Sequence, residues 1–252
     1  MSIKLVSLNI EMSKHYERVI PFLKHISPDV ICLQEVLEED FESLKERLGY
    51  EGFFKAWTYQ NSLAEHYKDV YSKRAGIAVF AKNIVGVGHT FYSGKEESLS
   101  VPFDVWIKNK EELKSCALVW ITTQDREGAT YRVITTHFPV TKEGESSPYQ
   151  LEILQSFFKT LESFGDFVLC GDFNAPRGNE TFTRLAYKYK DCIPKEYMTS
   201  IDNTLHRNRH QNIMFMVDGL FISNDSYSAN DVHLVDGVSD HMAIVVTIIK
   251  NI

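Results

Sequence analysis

Six places in this chain set polar residues directly against a run of apolar ones. Asn9 follows Leu5-Val6-Ser7-Leu8, and Gln34-Glu35 follows Val30-Ile31-Cys32-Leu33. His137 follows Val133-Ile134-Thr135-Thr136, while Asp172 and Asn174 follow Val168-Leu169-Cys170-Gly171. Asp218 follows Phe215-Met216-Val217, and Ser239-Asp240-His241 immediately precedes the run Met242–Ile249. A buried carboxylate without a partner is costly, so such groups need a cation or hydrogen-bond donors beside them. Four carboxylates, two histidines and two asparagines at the ends of strands therefore point to one cluster gathered around a cation. Singly, each has a plainer explanation. Asn9 could cap a turn, Glu35 could open a helix, Gly-Asp-Phe-Asn could be a turn, and His137 could be a core histidine. Their recurrence at strand ends, in this order, is what favours chemistry.

The elements that must position these residues can be read from apolar periodicity. Strand-like runs occur at Ile3–Leu8, Val30–Leu33, Gly76–Ala81, Cys116–Thr122, Tyr131–Thr136, Phe167–Cys170, Met214–Ile222 and Met242–Ile249. Several are almost continuously apolar, as in strands covered on both faces. A capping box with Pro148 at the first helical position opens one helix at Ser147, and Gly165 can end it. Further helical patterns cover Glu180–Tyr189, the Phe41/Leu44/Leu48 stripe, and Tyr16 to Leu23, where Pro21 would disturb the interior. Sheets with helices packed outside them are the architecture implied, in one domain over residues 1–252. The stretches Tyr59–Ala75, Tyr92–Asp104 and Ser200–Asn212 lack clear periodicity and are candidate substrate loops.

Composition excludes several classes. With 44% hydrophobic residues and 24% charged ones, the chain has the make-up of a protein with a real core, and disorder is excluded. No apolar run is long enough to span a bilayer, and the start lacks the pattern of a secretory signal. The four cysteines Cys32, Cys116, Cys170 and Cys192 lie far apart with no C-x-x-C pair, which favours reduced thiols and a cytoplasmic location. A net charge of −7 opposes long-range attraction of polyanions, so any nucleic-acid site must be a local basic patch.

Leu8-Asn9, Leu33-Gln34-Glu35-Val36, Thr136-His137, Gly171-Asp172-Phe173-Asn174, Val217-Asp218-Gly219 and Ser239-Asp240-His241 resemble the ordered motifs of the endonuclease/exonuclease/phosphatase superfamily. Gly-Asp-Phe-Asn and Ser-Asp-His are the most specific of them. The resemblance implies a deoxyribonuclease I-like α/β (α+β) fold, a four-layer sandwich of two mixed sheets flanked by helices. It also implies a phosphoester hydrolase that uses Mg²⁺, with Mn²⁺ as a substitute, a hard cation held through few carboxylates and several waters. Glu35 then resembles the main metal ligand, with Asn9 and Asp240 beside the metal. Asp172 resembles the residue that orients the attacking water, and Asn174 the one that holds phosphate. His241 resembles the phosphate-contacting imidazole paired with Asp218, and His137 one that contacts phosphate or assists the leaving group. Leu8 stands where many members carry Trp, and Gly219 where many carry an aromatic residue.

For the substrate, Arg74, Arg177, His206, Arg207 and Arg209 are candidate contacts. Lys68 and Lys73 lie near Arg74, interleaved with Tyr67 and Tyr71. Cationic groups mixed with stacking platforms suit a nucleic-acid strand or end. A nucleic-acid phosphodiesterase, monomeric and without an obligate partner or membrane insertion, is thus the leading expectation. Alternatives are a phosphatase or phosphodiesterase of inositol phosphates, phospholipids or other small phosphoesters, and a non-catalytic binding protein on the same fold.

Overall fold

The computed structural model describes residues 1–60, 73–113 and 115–251. In chain order its elements are β1 (Ser2–Asn9), α1 (Tyr16–Ile26), β2 (Val30–Leu37), α2 (Phe41–Leu48), β3 (Glu51–Gln60), β4 (Lys73–Ala81) and β5 (Ile84–Ser93). Then follow α3 (Phe103–Lys108), α4 (Lys110–Leu113), β6 (Cys116–Gln124), β7 (Thr130–His137), α5 (Pro148–Leu161), β8 (Val168–Asp172) and α6 (Glu180–Lys188). Last come β9 (Lys190–Asp191), β10 (Asp218–Ile222), β11 (Tyr227–Val235) and β12 (Ala243–Lys250).

Two six-stranded sheets form, in the orders β11-β12-β1-β2-β4-β3 and β5-β6-β7-β8-β10-β9. Each has a parallel pair at its centre, β1 with β2 and β7 with β8, flanked by antiparallel neighbours. The period-2 rule of a strand explains the layering. Ile3 and Leu5 of β1 join Cys32, Val133, Val168 and Cys170 in the core between the sheets. Val6 and Leu8 point the other way, against Val19, Ile20 and Leu23 of α1 and Leu44 of α2. On the far face of the second sheet, Leu169 and Phe221 meet Ile153, Leu154 and Phe157 of α5 and Phe182 and Leu185 of α6. The four-layer α/β sandwich is as expected.

The helices begin where capping requires. Ser147 Oγ accepts from Gln150 N at 3.0 Å at the head of α5, and Asn179 Oδ1 accepts from Phe182 N at 2.8 Å at the head of α6. Helix α1 runs through Pro21 without interruption. Pro21 and Glu17, whose carbonyl loses its intrahelical donor, both lie on the exposed side, where water can replace that bond. No disulfide joins the four cysteines. No helix among the described residues is long and apolar enough to cross a membrane.

Some expected boundaries move. The strand expected over Met214–Ile222 begins only at Asp218, and β3, β5, β9 and β11 were not marked by apolar runs. β3 and β4 also take up the ends of the stretch expected as a loop at Tyr59–Ala75. Tyr67, Lys68 and Tyr71 lie outside the described residues.

Candidate active site

Strand register alone collects most of the polar residues at one end of the sandwich. Parallel pairing sets Asn9 beside Gln34, and His137 beside Asp172. Antiparallel pairing of β10 with β8 sets Asp218 opposite Asp172. β12 runs antiparallel to β1, so Asp240 and His241, just before it, reach the same end. Beneath them Gln34 ties the two sheets together, its Nε2 donating to Thr135 Oγ1 at 3.0 Å.

Backbone irregularity aims the side chains. Glu35 is the extra residue of a bulge between Gln34 and Val36, at φ 58°. Asn174, at φ 48°, and Glu11 and Met12, at 45° and 60°, also occupy the left-handed region. Non-glycine residues rarely do so, and strained conformations of this kind gather at functional sites. Gly171, at φ 139°, lets β8 lie close to β7, since a Cβ there would fall 2.1 Å from Thr136 O.

Asp172 sits at the centre. Its Oδ1 accepts from the Asn174 amide at 2.8 Å, and its Oδ2 accepts from Asn9 Nδ2 at 3.1 Å. His137 Nε2 stands 3.4 Å from the same Oδ2 and 4.0 Å from Glu35 Oε1. His241 Nε2 lies 3.9 Å from that Asp172 oxygen. Asn9 also donates to Glu35 Oε1 at 3.1 Å, so one amide group spans both carboxylates. Asn174 Nδ2 donates to Phe138 O at 2.9 Å.

His241 Nδ1 is 2.8 Å from Asp218 Oδ2. Burial works against its imidazolium form, yet the facing carboxylates of Asp218 and Asp172 outweigh burial and hold its pKa well above 6.5. Asp218 is itself braced by Ser200 Oγ, which accepts from the Val217 and Asp218 amides, each at 3.1 Å.

The structure adds residues that strand-end reasoning missed. Glu11, buried two residues beyond Asn9, faces Asp240, and oxygens of both with a ring nitrogen of His15 lie within 4.8 Å of one another. Glu11 Oε2 is 2.9 Å from His15 Nε2, and Lys14 Nζ is 2.9 Å from both Glu11 oxygens. No apolar run follows Glu11, so only its spacing from Asn9 could have drawn notice. Burial, and then the charges of Glu11 and Glu35, push the Asp240 carboxyl up to about 7. Carboxylates that repel one another in this way fit a hard divalent cation, which reverses the repulsion. Glu11, Asp240 and His15 form one group that could hold such a cation, with Glu35 and Asn9 lining the same end of the site.

A cleft of about 730 Å³ opens over this cluster, lined by Glu11, Glu35, Trp57, His137, Asp172, Asn174, Asp240 and His241. His206 and Arg207 also line it. Burial, together with His241 and Arg207, lowers the His206 pKa to about 4, so this ring is uncharged at neutral pH. Its Nδ1 accepts from the Asn208 amide at 3.1 Å, which leaves the proton on Nε2. The other three candidate contacts stand elsewhere. Arg177 pairs with Asp191 at 2.9 Å and donates to the carbonyls of Ile193, Pro194 and Tyr197. Arg74 pairs with Glu38 at 3.3 Å. Arg209 begins an exposed 3-10 turn and, like Arg74 and Arg177, is absent from the cleft wall.

Comparison with solved structures gives the same architecture. An endonuclease/exonuclease/phosphatase from Bacteroides vulgatus superposes with a TM-score of 0.73 at 15% identity, covering 100% of both chains. The human Nocturnin catalytic domain with bound sulfate gives 0.70 at 18% identity, over 99% of this chain and 95% of that one. A Bacteroides thetaiotaomicron mannosyl-6-phosphatase gives 0.69 at 15%, over 98% and 100%. Comparison with curated proteins returns no match. The sequence profile of the Endonuclease/Exonuclease/phosphatase family matches residues 6–241, and with that match over nearly the whole length, the chain belongs to this family.

Proposed function

We propose that the protein is a divalent-metal-dependent phosphodiesterase acting on nucleic acid, with Mg²⁺ as the metal and Mn²⁺ as a substitute. The observation that carries the reading is Asp172, whose Oδ2 lies within 4 Å of Asn9, His137 and His241 at the floor of the cleft. A carboxylate so placed can orient a water molecule and take its proton. Glu35 and Asp240, with Glu11 and Asn9 beside them, would hold the cation, which when bound would supply positive charge beside a phosphoryl oxygen. His241, kept protonated by Asp218, donates to a phosphate oxygen, and Asn174 fixes the loop in which that oxygen is received. His137, its Nε2 3.4 Å from Asp172 Oδ2, can steady the leaving oxygen. Arg207, exposed on the cleft wall, contacts the flanking backbone. A non-catalytic role is disfavoured because all eight candidate positions keep groups able to act.

The test is hydrolysis of labelled single- and double-stranded DNA, RNA and a phosphomonoester panel, with Mg²⁺ or chelator and with an Asp172→Asn control. Metal-dependent cleavage of nucleic acid, lost in the control, supports the reading. Turnover of monoesters alone would instead support the phosphatase alternative, which the likeness to a mannosyl-6-phosphatase favours.

A further inference from the structure

The turn that links β1 to α1 brings a nitrogen donor to the acidic end of the cleft. Glu11 and Met12 both take left-handed backbone angles there. Asn9 Oδ1 accepts from the Glu11 amide at 3.1 Å, and Glu35 O accepts from the Met12 amide at 3.1 Å. The turn is thereby tied to the bulge that carries Glu35. His15 closes it, at the N-cap of α1. Ser, Thr, Asp or Asn at that position would bond the first free amides of the helix, but the His15 ring makes no capping bond. It is buried instead, with Nε2 2.9 Å from Glu11 Oε2. One ligand atom each from Glu11, His15 and Asp240 lies within 4.8 Å of the other two.

Adjacent ligands of an octahedral ion, each about 2.1 Å from it, stand about 3 Å apart. The Glu11–His15 separation matches, but a hydrogen bond has the same length, so this contact alone does not distinguish the two. Asp240 supplies the distinction. It is 7% exposed, and its Oδ1 accepts from the neighbouring Ser239 hydroxyl at 3.2 Å. Its other oxygen meets no donor among the described residues. A buried carboxylate so short of partners calls for a cation. Lys14 Nζ, 2.9 Å from both Glu11 oxygens, belongs to a side chain 39% exposed, which can withdraw to solvent as an ion enters. Mg²⁺ takes oxygen ligands and dehydrates reluctantly, whereas imidazole suits first-row transition ions. We propose that His15 is a nitrogen ligand of the cation, forming with Glu11 and Asp240 a mixed site that holds Mn²⁺ and later first-row ions more tightly than Mg²⁺. The proposal rests on the divalent-cation reading above and is independent of which phosphoester is cut.

The test needs no substrate. Calorimetry of the full chain with MgCl₂ and with MnCl₂ gives the two affinities, and Mn²⁺ should bind at least about tenfold more tightly. Pulsed electron paramagnetic resonance of the Mn²⁺-loaded protein should show coupling to an imidazole nitrogen, which a purely structural histidine would not produce. His15→Gln should weaken Mn²⁺ binding by at least about tenfold, change Mg²⁺ binding by less than about threefold, and abolish the nitrogen coupling. Glu11→Gln keeps the size of the side chain and should weaken both metals and abolish the coupling, so the test stays open should His15→Gln fail to fold. Absence of nitrogen coupling in the parent, with both metals bound, overturns the role of His15 and leaves the cation reading standing. Coupling that survives in either variant assigns the nitrogen to another imidazole and likewise overturns it. Failure of the parent to bind either metal removes the cation reading and the proposal together.

Discussion

His241 Nδ1 and Asp218 Oδ2 lie 2.8 Å apart with both residues buried, and Asp172 faces the same ring from the other side. Two carboxylates around one imidazole favour its charged form even against burial, so its folded pKa is raised. A raised histidine stabilises the fold fully below its unfolded value of 6.5, and that contribution is lost as pH rises through the folded value. Asp218→Asn removes the nearer carboxylate. The expected outcome is an imidazole that titrates at lower pH by proton NMR, with kcat falling roughly 10²–10⁴-fold, the usual worth of a positioned proton donor. An unchanged titration midpoint would show that Asp218 does not hold the proton in place.

Burial, and then the facing charges of Glu11 and Glu35, raise the Asp240 carboxyl to about 7. Adding Mg²⁺ or Mn²⁺ should therefore stabilise the protein before any substrate is present. At a concentration a hundred times Kd the gain is about 2.7 kcal/mol, which for a chain of this size raises Tm by roughly 5–10 °C. Glu35→Gln should abolish most of this rise while leaving the metal-free protein at least as stable, since one repelling charge is gone. A full metal-induced shift in that variant would place the cation elsewhere.

How much of this could be read from the residues depends on where each one sits. Asn9, His137 and Asp172 were legible because the strand before each is buried on both faces, so the apolar run stops where the site begins. Glu11 and His15 were not, because the chain turns after Asn9 and helix α1 has yet to begin. Edge strands such as β3 and β11 are part-exposed along their length, which leaves no continuous apolar signal. Arg177 misled for another reason. It follows the Gly-Asp-Phe-Asn turn closely, yet adjacency in sequence says nothing of direction, and its guanidinium turns to the β9 loop.

Gly171 makes a sharper prediction about the floor of the site. A methyl group there would meet Thr136 O at 2.1 Å, and the residue already holds a φ that side chains disfavour. Backbone cannot yield as a flexible side chain would, so β8 would have to separate from β7, carrying Asp172 away from His137. Gly171→Ala should cost more than about 3 kcal/mol in chemical denaturation, at the upper end for single substitutions. A loss under about 1 kcal/mol would mean that the two strands approach less closely than described.

Arg177 and Arg207 lie 30 residues apart and stand in opposite surroundings. Arg177 bonds Asp191 and three backbone carbonyls with its side chain about one-fifth exposed. Arg177→Ala strands those acceptors and should cost on the order of 2–4 kcal/mol, somewhat less than a fully buried pair would. That corresponds to a Tm lower by roughly 5–15 °C, with KM little changed for the molecules that remain folded. Arg207 is exposed on the cleft wall, where removing it disturbs no packed element. Arg207→Ala should leave Tm within about 2 °C but weaken binding of a nucleic-acid strand. If Arg207 touches one phosphate, the slope of log K against log salt becomes shallower by about 0.7 for single strands or 0.9 for duplex. Measuring Tm and the salt dependence of binding for both variants checks the pair at once. A salt slope that changes with Arg177 and not with Arg207 would reverse the assignment and move the nucleic-acid path to the α6 side of the cleft.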